Sequence, residues 1–286
     1  MHIDSFLSIS NSKIEDADYV VYGIPYDATQ SFKPGSRFAP NAIREASWNL
    51  ESYSQFFSFD LSLAKVCDAG NIFCDGSFEE IGRRVDEFLK EVKGIPIALG
   101  GEHSISFLAS KKFKGSCFLV FDAHFDLRDE FDGNKFNHAC TARRVFENGF
   151  EVVIVGVRSG CKEERDFADK EGIKYRFSWE IKGPDDVLEL LGDEKRIYLS
   201  IDMDAFDPSF APGVSTPEPF GLNPMLLLPI FSEISDRVVA LDIVEVVPDA
   251  NRVTQMLAAK LLFEFISARE KSFISFKNPE VQWRRR

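Results

Sequence analysis

The chain has 286 residues, 44% apolar and 28% charged, which is enough apolar side chain for a large core and excludes a disordered or fibrous protein. Its 34 Lys and Arg against 46 Asp and Glu leave a formal charge of −12, which argues against nucleic acid as a partner and suits cationic small molecules. No run approaches the ~18 consecutive apolar residues of a membrane span, and the acidic opening MHIDSFLSISNSKIEDADY has no basic-then-apolar order, so neither a membrane partner nor a secretion signal is expected.

Apolar runs of strand length fall at Tyr19–Ile24, Ile95–Leu99, Cys117–Phe121, Val152–Val157, Arg196–Ile201 and Val238–Val244. Amphipathic stretches of helical period lie between and after them, at Phe78–Val92, Ile105–Phe113, Cys140–Asn148, Lys162–Glu171, Asp185–Leu191, Met225–Ile234 and Val253–Arg269. Strand cores such as CFLVF and VVIVGV are apolar throughout, as expected when helices cover both faces of a parallel sheet. The β-then-α alternation predicts a single three-layer α/β/α domain over 1–286 with a mainly parallel central sheet. Lys33–Pro40 and Pro208–Pro224 read as loops, and the basic tail WRRR is too short to define a partner. Five widely spaced cysteines (Cys67, Cys74, Cys117, Cys140, Cys161) form no CxxC pair, and small buried hydrophobes in a reducing cytoplasm are the reading.

In a doubly wound sheet, ligands gather at the carboxyl ends of the strands. DAHFD follows Cys117–Phe121, and alternation in an extended chain brings Asp122, His124 and Asp126 to one face, with Ala123 and Phe125 turned away. DMD follows Arg196–Ile201 and pairs Asp202 with Asp204 in the same way. GGEHS follows Ile95–Leu99, where Gly100 and Gly101 turn the chain and His103 reaches inward. Two imidazoles and four carboxylates thus converge. The four aspartates would repel one another unless cations intervened. Two divalent ions carry +4 against their −4, and a bridging hydroxide leaves the cluster near −1. Imidazole and carboxylate without thiolate favour Mn²⁺, with Fe, Co or Ni also admissible, and six ligands suit two ions roughly 3.5–4 Å apart. A lone Asp-x-His is a weak signal that a turn or cap explains equally well, whereas three such motifs at three strand ends make a strong one.

The succession GGEHS (100–104), DAHFD (122–126) and SIDMDAFDPSFAPGVSTPEP (200–219) resembles the ureohydrolase family of arginases and agmatinases. GIPYDATQSFKPGSRFAPNAIREAS (23–47) and DIVEVVPDANRVTQMLAAKLLFEF (242–265) look like archaeal agmatinases in particular. The resemblance spans nearly the whole chain. It implies a binuclear manganese site in which His103 and Asp126 hold one ion, His124 and Asp204 hold the other, and Asp122 and Asp202 bridge them. Asp126 would also orient the bridging hydroxide. By the same resemblance His138 shuttles protons and Glu245 grips the substrate guanidinium through paired charge-assisted hydrogen bonds. Homo-oligomers, trimeric or hexameric, are implied as well. Asp207 is expected to support the metal loop without binding metal, and Asp68 and Glu102 are read as structural.

The sequence departs from the family at Ala139, Phe220 and Val247, and a ring at Phe220 is expected to reshape the entrance. An acidic pocket with no evident carboxylate anchor suits agmatine, hydrolysed to putrescine and urea, or the longer N1-aminopropylagmatine, giving spermidine. Arginine, guanidinobutyrate and formiminoglutamate remain alternatives within the family. Arg143 and Arg144 could serve a substrate carboxylate, although a solvated helix face is the simpler reading. A silent binding protein that kept the fold is the non-enzyme alternative, which the intact ligand set opposes.

Overall fold

The computed structural model describes Phe6 and residues 10–277, so His2 and the WRRR tail lie outside the described residues. Ten strands occur in chain order: β1 (Tyr19–Ile24), β2 (Tyr53–Ser54), β3 (Phe59–Asp60), β4 (Val66–Asn71), β5 (Ile95–Gly100), β6 (Cys117–Phe121), β7 (Glu151–Val157), β8 (Lys174–Phe177), β9 (Ile197–Asp202) and β10 (Val238–Val244). The α-helices are α1 (Ala39–Ser47), α2 (Phe78–Glu91), α3 (Ile105–Ser110), α4 (Thr141–Glu147), α5 (Lys162–Glu171), α6 (Pro184–Leu191), α7 (Leu227–Ile234) and α8 (Val253–Lys277).

Eight strands form one sheet in the order β4-β1-β5-β10-β9-β6-β7-β8, and every pairing in it is parallel. Successive residues of each central strand enter opposite cores, as the two-residue period of a strand requires. Leu119 and Phe121 face a cluster with Ile230 and Phe231 of α7 and Phe263 of α8, whereas Phe118 and Val120 face Ile81 and Val85 of α2 and Val145 of α4. The sheet is therefore covered on both faces, which explains why its strands read as unbroken apolar runs.

All six sequence-read strands and all seven helices are present, most within one or two residues of their expected ends. Five strands and helices were not read: the short pair β2 and β3, the edge strands β4 and β8, and α1. Edge strand β4, VCDAGN, has only its first two residues buried, and β8, KYRF, has none. At a sheet edge the apolar signal is halved or lost. The loop reading of Lys33–Pro40 needs correction, because Ala39 and Pro40 are the first two residues of α1, where a proline lacks a donor that would go unused anyway. Inside α1, the fully buried Arg44 forms a bidentate pair with Asp68 of β4 at 2.8 and 2.9 Å and also donates to Asn71 Oδ1 at 2.6 Å. Asp68 is thus structural, as read. Breaking one partner of such a buried pair costs about 3–5 kcal/mol.

Candidate active site

Four adjacent strands, β5, β10, β9 and β6, supply nearly all the functional groups from their carboxyl ends. His103 follows β5, Glu245 follows β10, Asp202 and Asp204 close β9, and Asp122, His124 and Asp126 follow β6. These ends sit close because glycines permit it. A Cβ on Gly101 would lie 1.9 Å from the Tyr26 carbonyl oxygen, and one on Gly100 would lie 2.6 Å from Val244. Neither glycine has a positive φ; the chain bends at Gly101, as expected, and both glycines also allow the close backbone approach.

The six residues read as metal ligands do come together. His103 Nδ1 lies 3.1 Å from Asp122 Oδ2, 3.0 Å from Asp126 Oδ2 and 3.3 Å from Asp202 Oδ2. His124 Nδ1 lies 3.0 Å from Asp204 Oδ2 and 3.5 Å from Asp122 Oδ1. Two groups of donors have the spacing to hold a cation: His103, Asp122 and Asp202 form one, and Asp122, His124 and Asp204 the other, with Asp122 common to both. Asp126 stands beside the first group through its contact with His103.

Strand alternation explains part of this arrangement. Ala123 and Phe125 are buried in the core as expected. Asp126, however, adopts a left-handed φ of 50°, so its carboxylate turns toward His103 by a local kink. Glu245, at φ 64°, does the same just beyond β10. Such conformations cost about 1–3 kcal/mol each and collect at functional sites.

A chain of hydrogen bonds sets the tautomer of His103. Asp242 accepts from Tyr198 and Ser200, both at 2.6 Å, so the single Ser200 hydroxyl proton is committed. His103 Nε2, 3.3 Å from Ser200 Oγ, must then donate, which leaves Nδ1, facing the carboxylates, as the nitrogen that carries either a proton or a metal ion. Although three carboxylate oxygens lie within 3.3 Å of that buried nitrogen, none is aligned to hydrogen-bond with it. An orphaned buried donor atom among carboxylates is what a metal position requires. The second imidazole is backed by Glu218, whose Oε1 lies 3.6 Å from His124 Nε2.

Electrostatics agree. Burial, reinforced by Asp204 and Asp122, pushes the Asp202 carboxyl well above the usual carboxylate range, and burial with Asp122 pushes Asp126 up to about 7. Burial works against charge on His103 and His124 too, yet the surrounding carboxylates hold both imidazoles well above their ordinary value. Protons are held here where divalent cations would replace them. The residues fit two divalent ions.

Four of the six candidate ligands, His124, Asp126, Asp202 and Asp204, line a cleft of about 320 Å³ together with His138 and Glu245. Glu245 Oε1 accepts from the His103 amide at 2.7 Å and Oε2 from Gln30 Nε2 at 2.6 Å. Burial raises its carboxyl to about 7. His138, on the short 3₁₀ turn before α4, lines the cleft wall, and burial lowers its pKa. Asp207 lies outside the cluster. Its carboxylate accepts from the Ser209 and Gly221 amides at 3.0 and 3.1 Å and holds the metal loop in shape, as expected.

Two expectations change, at Phe220 and at the Arg143–Arg144 pair. Phe220 is 83% exposed and does not line the cleft. Val247 is a buried packing residue whose amide donates to Gly213 O at 2.8 Å. Arg143 and Arg144 are not a solvated face: Arg144 is buried, both pair with Asp129 and Glu147, and Arg143 stacks on Phe167, so neither offers a free guanidinium. Glu102, read only as structural, is fully buried beside the site and bonds the loop after β1, and burial raises its carboxyl to about 7.

Sequence reading missed Gln30, Thr29, Arg158 and Arg128. Arg158, just past β7, donates to the carbonyls of Asp204 at 2.6 Å, Glu218 at 2.8 Å and Pro219 at 2.9 Å, stitching the metal loop to the sheet. Arg128 lines the cleft with its guanidinium over the Phe131 ring at 4.9 Å and 3.5 Å from Glu164. The available sequence signal was position: all four follow strand carboxyl ends, Thr29 and Gln30 after β1, Arg128 after β6 and Arg158 after β7.

The fold and this cluster define a metal-dependent hydrolase class, and the chain belongs to the Arginase family, whose profile it matches over residues 17–267. It is 42% identical to an agmatinase of Pyrococcus horikoshii, the alignment covering 88% of this chain and 92% of that one. It is 39% identical to an N(1)-aminopropylagmatine ureohydrolase of Thermococcus kodakarensis, over 90% and 92% of the two chains. The crystal structure of an agmatine ureohydrolase from Thermoplasma volcanium superposes with a TM-score of 0.90 at 37% identity, covering 96% of this chain and 97% of that one.

Proposed function

We propose that the protein hydrolyses the guanidino group of agmatine, adding water to give putrescine and urea, with two Mn²⁺ held by His103, Asp122, His124, Asp126, Asp202 and Asp204. The observation that carries this reading is the sharing of Asp122 between two His–carboxylate groups bordering a cleft that Glu245 also lines. Bound divalent ions lower the pKa of water and so supply a nucleophile at neutral pH. A guanidinium carbon is a poor electrophile, and the chain's own groups address that by orientation. Glu245, clamped by Gln30 and the His103 amide, presents a fixed carboxylate to the guanidinium nitrogens. Asp126, turned inward beside His103, accepts a hydrogen bond from the attacking water and directs it. His138 gives a proton to the departing amine from the cleft wall.

Arg128, which lines the cleft, is engaged by Glu164 and the Phe131 ring, which favours a substrate tail without a carboxylate. A second reading, hydrolysis of N1-aminopropylagmatine to spermidine and urea, draws support from the Thermococcus relative. The free cysteines suit a reducing cytoplasm, and the chain works as a homo-oligomer on this reading. The test is urea release by Mn²⁺-loaded protein from agmatine, aminopropylagmatine, arginine and guanidinobutyrate, with and without chelator. Agmatine is expected to give the highest kcat/KM, and chelation to abolish turnover. Loaded protein that released urea from none of the four would overturn the reading.

A further inference from the structure

The loop after β1 touches two functional groups of the cleft with consecutive residues. Asp27 closes this loop by accepting from the Gly35 amide at 2.9 Å and the Arg37 amide at 3.2 Å. Within it, Gln30 holds Glu245, and Thr29 and Ser31 flank His138.

Counting hydrogen-bond capacity at Thr29 decides the state of His138. A threonine hydroxyl has one proton and two lone pairs. Its partners are Glu102 Oε1 at 2.6 Å, the His138 amide at 3.0 Å and His138 Nδ1 at 3.3 Å. Glu102 is fully buried and receives three donors in all: the Thr29 hydroxyl, the Thr29 amide at 2.8 Å and the Ser104 hydroxyl at 2.5 Å. Such a carboxylate takes the Thr29 proton. The His138 amide can only donate and occupies one lone pair. The remaining lone pair faces Nδ1, which must therefore carry a hydrogen. Nε2 is left as the basic nitrogen, 3.3 Å from the hydroxyl of cleft-lining Ser31.

We propose that Thr29, backed by Glu102, is a positioning residue that fixes the tautomer and ring orientation of His138, so that proton exchange runs only through Nε2. The inference rests on His138 being the proton donor of the proposed reaction. In that step the C–N bond to the departing nitrogen breaks, its electron pair stays on that nitrogen, and the Nε2 proton of imidazolium moves to it. His138 is left neutral with its hydrogen on Nδ1, the tautomer that Thr29 favours, and Nε2 is reprotonated from solvent.

The test uses full-length Thr29→Val and Thr29→Ser, with His138→Ala as reference. In Zn²⁺-loaded, ¹⁵N-histidine-labelled protein, wild type and Thr29→Ser are expected to show His138 protonated at Nδ1, and Thr29→Val to show a mixture of tautomers. With Mn²⁺, Thr29→Val should lose about tenfold or more in kcat with KM little changed, part of the ~10²–10⁴ that a placed acid contributes. Thr29→Ser should restore most of it. A wild-type His138 carrying its hydrogen on Nε2, or a Thr29→Val protein with unchanged kcat, overturns the inference while leaving the hydrolase reading intact. Undiminished urea release by His138→Ala removes the proton-donor role itself.

Discussion

Asp122 is the residue on which both donor groups depend, since each counts it as a member. Asp122→Asn is therefore expected to lose metal at both positions and to lower urea release about 100-fold or more, read by metal content per chain and by turnover. Two ions retained per chain would displace Asp122 from the shared role. The cluster of candidate ligands was legible because five of its six members sit in two short motifs at period two, where an extended backbone aligns most of them without help from the fold. Asp126 was legible as a member of the cluster but for an incomplete reason, because its left-handed backbone and not strand alternation completes the approach. Thr29, Gln30 and Glu102 were not legible. Their partners lie 73 to 215 positions away, and no local pattern announces a contact that distant.

At the scale of elements, the strands with helices on both faces could be read directly, and the edge strands could not. β4 and β8 each lack a neighbour on one side, so most of their residues are partly or fully exposed and include charged ones, where the central strands are buried almost throughout. The loop after β9 was read as a loop, but the contacts that hold it were not. Arg158 reaches from β7 and ties it down through several carbonyls, and Thr216 donates to Asp204 at 3.2 Å from within it. Arg158→Ala should free this loop, with a loss of about 2–4 kcal/mol in stability and ten- to hundredfold weaker metal binding. Arg158→Lys should recover little, because a point ammonium cannot span the separate carbonyls that the planar fork reaches. Thermal denaturation and metal titration check both variants. Unchanged metal affinity in Arg158→Ala would confine the residue to a purely structural part.

For the whole molecule, buried acid makes stability a function of pH and metal together. Asp126 and Glu245 have ordinary values of 3.8 and 4.5 and are each raised to about 7 in the folded protein. A raised carboxyl stabilises the fold at pH below its ordinary value, and that contribution is lost as pH rises through about 7. Asp202, His103 and His124 are raised as well and act in the same direction, whereas Asp122, held down by His103 and His124 against its burial, opposes them. The metal-free protein should therefore lose Tm between about pH 5 and pH 8, and the Tm gain on adding Mn²⁺ should grow over the same interval. A gain that is equal at both ends would contradict the proton-for-metal exchange.

One further consequence follows from where His138 sits. It shares the segment between β6 and α4 with Phe131, whose ring meets its imidazole edge-to-face at 6.3 Å, and with Arg128, which lies over that same ring. On the proposed reaction, the proton donor and the cleft wall formed by Phe131 and Arg128 are therefore mechanically one piece. Selecting a longer or shorter amine by altering that wall disturbs the imidazole too. In this scaffold a change of substrate preference should register in kcat as well as in KM, and the compensating substitutions should be found in the loop after β1, which holds the other side of the ring.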